Sequence, residues 1–269
     1  MPQPKTSQID AAGKNFVELE TMRYTIEADI AYVTFNRPEV VNAMNVPWSR
    51  DFLQVTDTLS REKQVKVVVI SGEGRGFSSG IDLKTLSQGG FPIEWFRDYE
   101  RSLRNLELMD KIVISAIHGF CIGGGMQVAL ASDIRIATED TKFALTAVKE
   151  CLIPGMGTFR LARYIGLGRA KRIILSGEYI NGKEAHAMGL VDYLVSEADF
   201  ERRVEEITDV YLQAASEGQR QSKHLLDLCF KLDWDSFLEE YMSSQAAAVS
   251  SEQHQEAMLA YREKRDPRF

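Results

Sequence analysis

Two runs, VKVVVISG (65–72) and KIVISAIHG (111–119), are apolar without alternation and rich in β-branched residues. A strand of that kind needs cover on both faces, as a central parallel strand has. Each run feeds a glycine-rich loop and then a helical pattern: GEGRGFSSG (72–80) before IDLKTLS, and GFCIGGGM (119–126) before QVALAS. Strand, loop and helix in repeated order predict an α/β core with crossover connections. FVELETM (16–22), AYVTFN (31–36) and SDIRIATE (132–139) read as further strands. VPWSRDFLQVTDTLSRE (46–62) reads as a helix, with Phe52, Val55 and Leu59 at helical spacing and Pro47 tolerated near its start. Residues 93–110 read as another. After about residue 157 helical periodicity dominates. The expected division is a flexible tail over 1–15, an α/β core carrying the site over 16–200, and a helical region over 201–269.

Net charge is −7, with both signs mixed along the chain. That balance argues against nucleic acid or a membrane surface as a partner. An anionic small ligand would have to be held locally, by a few basic residues and by backbone amides. Cys121, Cys151 and Cys229 lie far apart without CxxC spacing, which reads as a reduced, cytoplasmic protein. No apolar run is long enough to span a bilayer, and no metal-ligand spacing appears. The first fifteen residues lack a targeting pattern, and the terminal RDPRF is not a peroxisomal address.

SSGID (78–82) and IGGGM (122–126) share one design. Each follows a buried strand and precedes a helix, so free N–H groups at a helix N-terminus face outward. Two such amides converging on one oxygen would stabilise negative charge developing there. The alternative is that the glycines only allow helix and strand to pack closely.

Together with their surroundings these loops resemble one family, the crotonase superfamily of enoyl-CoA hydratases, isomerases and relatives. The resemblance rests on four motifs in the family's order: NRPEVVNAMN, VKVVVISGEGRGFSSGIDL, ISAIHGFCIGGGMQVALASDIRIA, and IPGMGTFRLARYIGLGRAKRIILSGEYINGKEAHAMGLVDYLV. It implies a spiral of ββα turns followed by C-terminal helices that mediate trimerisation, in a homotrimer or a hexamer of two trimers. It implies oxyanion-hole amides at Ile81 and Gly124, holding the thioester oxygen of an acyl-CoA as an enolate forms. The family's adenine pocket maps to Ser79 and Ile81, with Ala43 opposite and Lys84 approaching the nucleotide. Coenzyme A enters as part of the substrate; no prosthetic group is implied.

The chain departs from that pattern at its acids. Ordinary hydratases carry Glu where this chain has Gln127, and a second Glu where it has Ala147; dienoyl-CoA isomerases place an Asp at the position of Gly155. Hydration needs one group to take a proton from water and another to deliver one to carbon. Gln127 can hold a water or a substrate oxygen but cannot act as a base. Glu150 is the nearest substitute: in an extended segment it would face away from position 147, in a helical turn it would share that face. Phe91, Trp95 and Phe96 would roof an acyl tail or simply pack in the core. His118, Asp82 and Asp133 read as structural.

Three functions therefore stand at this point. The first is an acyl-CoA enzyme of the hydratase/isomerase type with a relocated acid/base. The second is a hydrolase or decarboxylase using the same oxyanion hole. The third is a non-catalytic acyl-CoA-binding paralogue.

Overall fold

A computed structural model describes residues 8–9 and 15–269. Most of the expected N-terminal tail, residues 1–7 and 10–14, lies outside the described residues. Strands β1 (Gln8–Ile9), β2 (Asn15–Glu18), β3 (Met22–Glu27) and β4 (Ile30–Phe35) make an antiparallel meander. Helix α1 (Val46–Arg61) leads to β5 (Val67–Gly72), and α2 (Leu83–Ser87) and α3 (Ile93–Leu108) lead to β6 (Ile112–Ile117). Then come β7 (Phe120–Ile122), α4 (Gly124–Ala131), β8 (Ile134–Thr138) and β9 (Lys142–Ala144). Helices α5 (Gly157–Ile165) and α6 (Leu167–Ser176) precede β10 (Ile180–Asn181), α7 (Gly182–Ala187) and β11 (Tyr193–Val195). The chain ends in α8 (Phe200–Leu212), α9 (Ser216–Leu228), α10 (Trp234–Ser250) and α11 (Glu252–Glu263).

The main sheet runs β1-β2-β3-β4-β5-β6-β8-β11 and is parallel from β4 onward. A second layer is built from short strands, β10-β9-β7, and single bridges carry it on through Ser78–Cys121 and Met44–Ile81. Successive turns of the chain thus give a long strand to one layer, a short one to the other, and a helix. The C-terminal part is helical. This is the α/β class with helical C-terminal region that the sequence predicts.

The unbroken apolar character of β5 has a direct cause. Val68 and Ile70 face a core shared with α1, α3 and α4, whereas Val67 and Val69 face a second cluster closed by Ile207 and Val204 of α8. Phe35, Trp48, Phe52 and Phe77 form the centre of the first core, with Phe35 edge-on to the other three at 5.3–5.7 Å. One expected element is corrected. FVELETM is not one strand: Leu19 N–H bonds Met22 O at 2.9 Å in a tight turn, and Thr21 donates through N–H and hydroxyl to the Asp51 carboxylate on α1. The strand after the turn was hidden because β3, MRYTIE, is only half-buried beyond Met22 and mixes charge with apolar residues.

Helix α9 is held to α3 by Arg104, which donates two bonds of 2.8 Å to Asp227. These bonds hold the Asp227 carboxyl well below its ordinary 3.8, with Lys231 adding to the effect against partial burial. A depressed carboxylate stabilises the fold above the unfolded value and loses that contribution as pH falls toward the folded one. Asp227→Asn is therefore expected to lower stability at pH 7, with the gap to wild type narrowing below pH 3.8. Urea melts across that range check it. A gap independent of pH would contradict the assignment.

Candidate active site

The two glycine loops meet at the edge of the second layer. Met44 N–H donates to Gly80 O at 2.8 Å, and Met44 O accepts from Asp82 N–H at 3.0 Å. In a parallel bridge one residue uses both of its groups on the neighbours of its partner. Ile81's own N–H is therefore turned away from Met44, and it has no backbone partner among the described residues. Gly124 is the first residue of α4, so its N–H is among the donors that a helix leaves unpaired.

Gly80 brings these two segments together. Its φ is +86°, and a Cβ there would lie 2.7 Å from Ile122 O and 3.2 Å from Gly124 N. A side chain would force the loops apart. Gly125 packs as tightly, with a Cβ position 2.7 Å from Ser78 Cβ. Close packing, one of the two readings of these glycines, is thus present, and it brings the segment holding Ile81 against the one holding Gly124.

The surrounding residues fix the loops. Arg37 donates to Ala43 O and pairs with Asp82, tying the 37–45 segment to the 78–82 segment. Asp82 also caps α2, accepting from Thr85 N–H at 3.1 Å. Ser79 N–H donates to Val41 O at 2.8 Å and its hydroxyl to Val40 O. Ala43 is buried beside this crossing, and Lys84 is exposed on α2. Tyr99, on α3, donates its hydroxyl to Gly124 O at 2.6 Å. Burial pushes that phenol well above its ordinary value, so it remains a donor. Trp95 stacks on Tyr99 with centroids 5.4 Å apart and donates Nε1–H to Asn45 O. Phe91 and Phe96 pack against Trp95.

Gln127 is buried on α4, three residues past Gly124 and so on the same helical face. Its Oε1 accepts from Gly157 N–H at 3.2 Å. Residues Ala147–Glu150 form a 3-10 turn, in which residues three apart eclipse. Of the two conformations open to the sequence, the turn is realised, and Glu150 shares the face of Ala147. The Glu150 side chain is half-buried and makes no hydrogen bond or ion pair among the described residues. Leu152 is half-buried and Ile153 is exposed.

Reading the sequence did not single out Tyr99 or Glu100. Both fall inside a stretch read only as helical, and nothing local marks them. Glu100 Oε1 accepts from Met156 N–H at 3.0 Å, and Oε2 pairs with Arg160 Nη1 at 2.9 Å. Other titratable groups have structural partners. His118 Nε2 bonds Gly74 O at 2.8 Å, and Asp133 accepts from Val113 N–H and Lys223 Nζ. Burial pushes the Cys121 thiol well up, away from a reactive thiolate. Among the described residues no group of three His, Cys, Asp or Glu side chains could hold a metal, and no helix is long and apolar enough to cross a membrane.

The chain is similar over most of its length to known proteins. The family model described as Enoyl-CoA hydratase/isomerase matches residues 25–269. The short-chain-enoyl-CoA hydratase of Clostridium acetobutylicum is 31% identical over 255 residues, covering 93% of this chain and 97% of that protein. A peroxisomal Delta(3,5)-Delta(2,4)-dienoyl-CoA isomerase of Arabidopsis thaliana is 28% identical, covering 95% and 98%. The crystal structure of an enoyl-CoA hydratase from Bacillus anthracis superposes with a TM-score of 0.87 at 27% identity, covering 93% of this chain and 99% of that one. With a ββα spiral, two facing glycine loops and a family match over nearly its whole length, the chain belongs to the enoyl-CoA hydratase/isomerase family of the crotonase superfamily.

Proposed function

We propose that this acyl-CoA enzyme holds its substrate's thioester oxygen between the N–H groups of Ile81 and Gly124 and stabilises an enolate there. The observation that carries the reading is the Met44 bridge, which occupies the groups on either side of Ile81 and leaves its amide without a backbone partner among the described residues, in the segment packed against Gly124. Preformed donors aimed at developing charge need no reorganisation during the reaction. The coenzyme A end lies along Ala43, Ser79 and Ile81, with Lys84 at the phosphates. A cation there offsets the chain's net charge of −7 locally.

A double-bond shift needs a single proton carrier. In that reaction Glu150 takes a proton from C2 of a 3-enoyl thioester, and the C–H pair passes into the enolate whose charge rests on the oxygen between Ile81 and Gly124. As the carbonyl re-forms, that pair closes the C2–C3 double bond while the former C3–C4 π pair takes the proton back at C4. Gln127 orients the reacting atoms and transfers no proton. Two outcomes follow. Wild type is expected to exchange the C2 protons of acyl-CoA for deuterium in heavy water, read by mass spectrometry. Glu150→Gln is expected to lower that exchange roughly 10²-fold or more while leaving CoA-ester binding intact. Full exchange in that variant would remove Glu150 from the mechanism.

The active species is a homotrimer, alone or paired into a hexamer. Leu226, Phe230, Trp234 and Met242 are all more than half exposed in the single chain, an apolar surface that self-association would cover. Light scattering is expected to give three or six times the chain mass of 30.4 kDa. A monomeric mass would contradict this.

A further inference from the structure

We infer that Glu100 is a second acid/base of this site, reaching in from α3 to fill the place that Gly155 leaves open, and that it equips the enzyme to hydrate enoyl thioesters. The inference rests on the acyl-CoA reading above and adds a residue and a reaction to it.

Gly155 lies against the Glu100 carboxylate. A Cβ built there would lie 2.6 Å from Glu100 Oε1 and 3.0 Å from Gln127 Oε1. The carboxylate of Glu100 thus occupies the space in which a side chain at position 155 would begin. Glu100 and Gln127 close around the same point from different helices. Gln127 in turn lies one helical turn beyond Gly124 on α4. The face of α4 that starts at the proposed oxyanion donor therefore ends beside a carboxylate contributed by α3.

That carboxylate is held in position. Met156 N–H fixes Oε1 and Arg160 Nη1 fixes Oε2. Arg160 is itself buried and anchored by Glu107 at 2.6 Å. A carboxylate oxygen has two acceptor sites, so Oε1 can take a further proton donor beyond Met156. The Glu100 side chain is 26% exposed, which leaves it open to a water molecule. Gln127 Oε1 is committed to Gly157 N–H, while its amide nitrogen donates to no protein group among the described residues. A water could accept from that nitrogen and donate to Glu100 Oε1.

The addition then balances. The water oxygen bonds to C3 of the 2-enoyl thioester while its proton passes to the Glu100 carboxylate. The C2–C3 π pair becomes the enolate, whose oxygen rests on the Ile81 and Gly124 amides. Glu150, in its protonated form, delivers its proton to C2. Exchange with solvent moves the proton from Glu100 back to Glu150.

The test separates the two reactions. In Glu100→Gln, hydration of crotonyl-CoA is expected to fall about 10²-fold or more, the range for a lost general base. C2 exchange on a saturated acyl-CoA, which needs only the oxyanion hole and Glu150, is expected to stay within a few-fold of wild type. Glu100→Ala combined with Gly155→Asp is expected to recover part of the hydration, because Asp tolerates the positive φ of 47° and returns a carboxylate to the vacated space. Unchanged hydration in Glu100→Gln would overturn the inference, as would hydration and exchange falling together, which would mark a structural brace. Absence of C2 exchange in wild type would instead sink the underlying acyl-CoA reading.

Discussion

Gly124→Pro is expected to lower kcat/KM on an acyl-CoA substrate by about 10²–10³-fold, the loss seen when one oxyanion donor is removed. The substitution takes away the amide hydrogen and adds a ring whose Cβ would lie 2.5 Å from Met44 Sδ, so the Met44 side chain must shift. Proline is tolerated at the first position of a helix, and Gly124 opens α4. The preceding residue, Gly123, has φ 53° and ψ −115°, the mirror image of the extended conformation that precedes proline, and a glycine adopts it freely. The nearest atoms to a new Cβ are the Sδ and Cε of Met44, the end of a flexible side chain that can move. Affinity for free CoA, whose proposed contacts at Ala43, Ser79 and Lys84 are untouched, is expected to change little. Unimpaired turnover in a folded Gly124→Pro protein would show that the amide bears no part of the charge.

Phe35→Ala is expected to cost about 3–5 kcal/mol of stability, the range for emptying a buried aromatic site. Phe35 is fully buried and lies edge-on to Trp48, Phe52 and Phe77 at 5.3–5.7 Å. The substitution therefore loses aromatic contacts as well as area, and close-packed neighbours on α1 and in the 72–80 loop leave little room for collapse. Native domains have only about 5–15 kcal/mol to lose, so the change is large. Urea melts should show a lower midpoint at an unchanged slope. A wild-type midpoint would mean that the site refills, and that the core between α1 and the sheet is softer than its packing indicates.

The main features of the core were legible because burial on both faces leaves a short, unbroken run of β-branched residues closed by glycine. VKVVVISG reads as a central strand because Val67 and Val69 meet α8 while Val68 and Ile70 meet α1 and α3. The glycines of 72–80 and 123–125 were legible for a related reason: Gly80 and Gly125 sit where any Cβ would strike backbone or Ser78. Strand β3 was not legible, since a half-buried strand with Arg, Thr and Glu among its apolar residues looks like a loop.

At the site, the resemblance to the crotonase superfamily, carried by the motifs around them, pointed to Ile81, Gly124 and Gln127, and Glu150 followed as the carboxylate nearest the empty position 147. The conformation of 147–150 had to come from the structure, since VKECLI suits both an extended segment and a 3-10 turn. Glu100 could not be found in the sequence. It lies 55 positions before Gly155, inside a helix whose periodicity concerns only packing, and its relevance exists only in the crossing of α3 with the 154–157 turn. Residues contributed across such crossings leave no pattern in one dimension.

The thioester carbonyl itself gives the most direct test of the whole account. A substrate analogue labelled with carbon-13 at that carbonyl and bound to the enzyme should show its resonance displaced downfield, as two strong donors draw charge onto the oxygen. The displacement should shrink in Gly124→Pro. A resonance at its solution position in the saturated complex would contradict the claim that Ile81 and Gly124 share one oxygen.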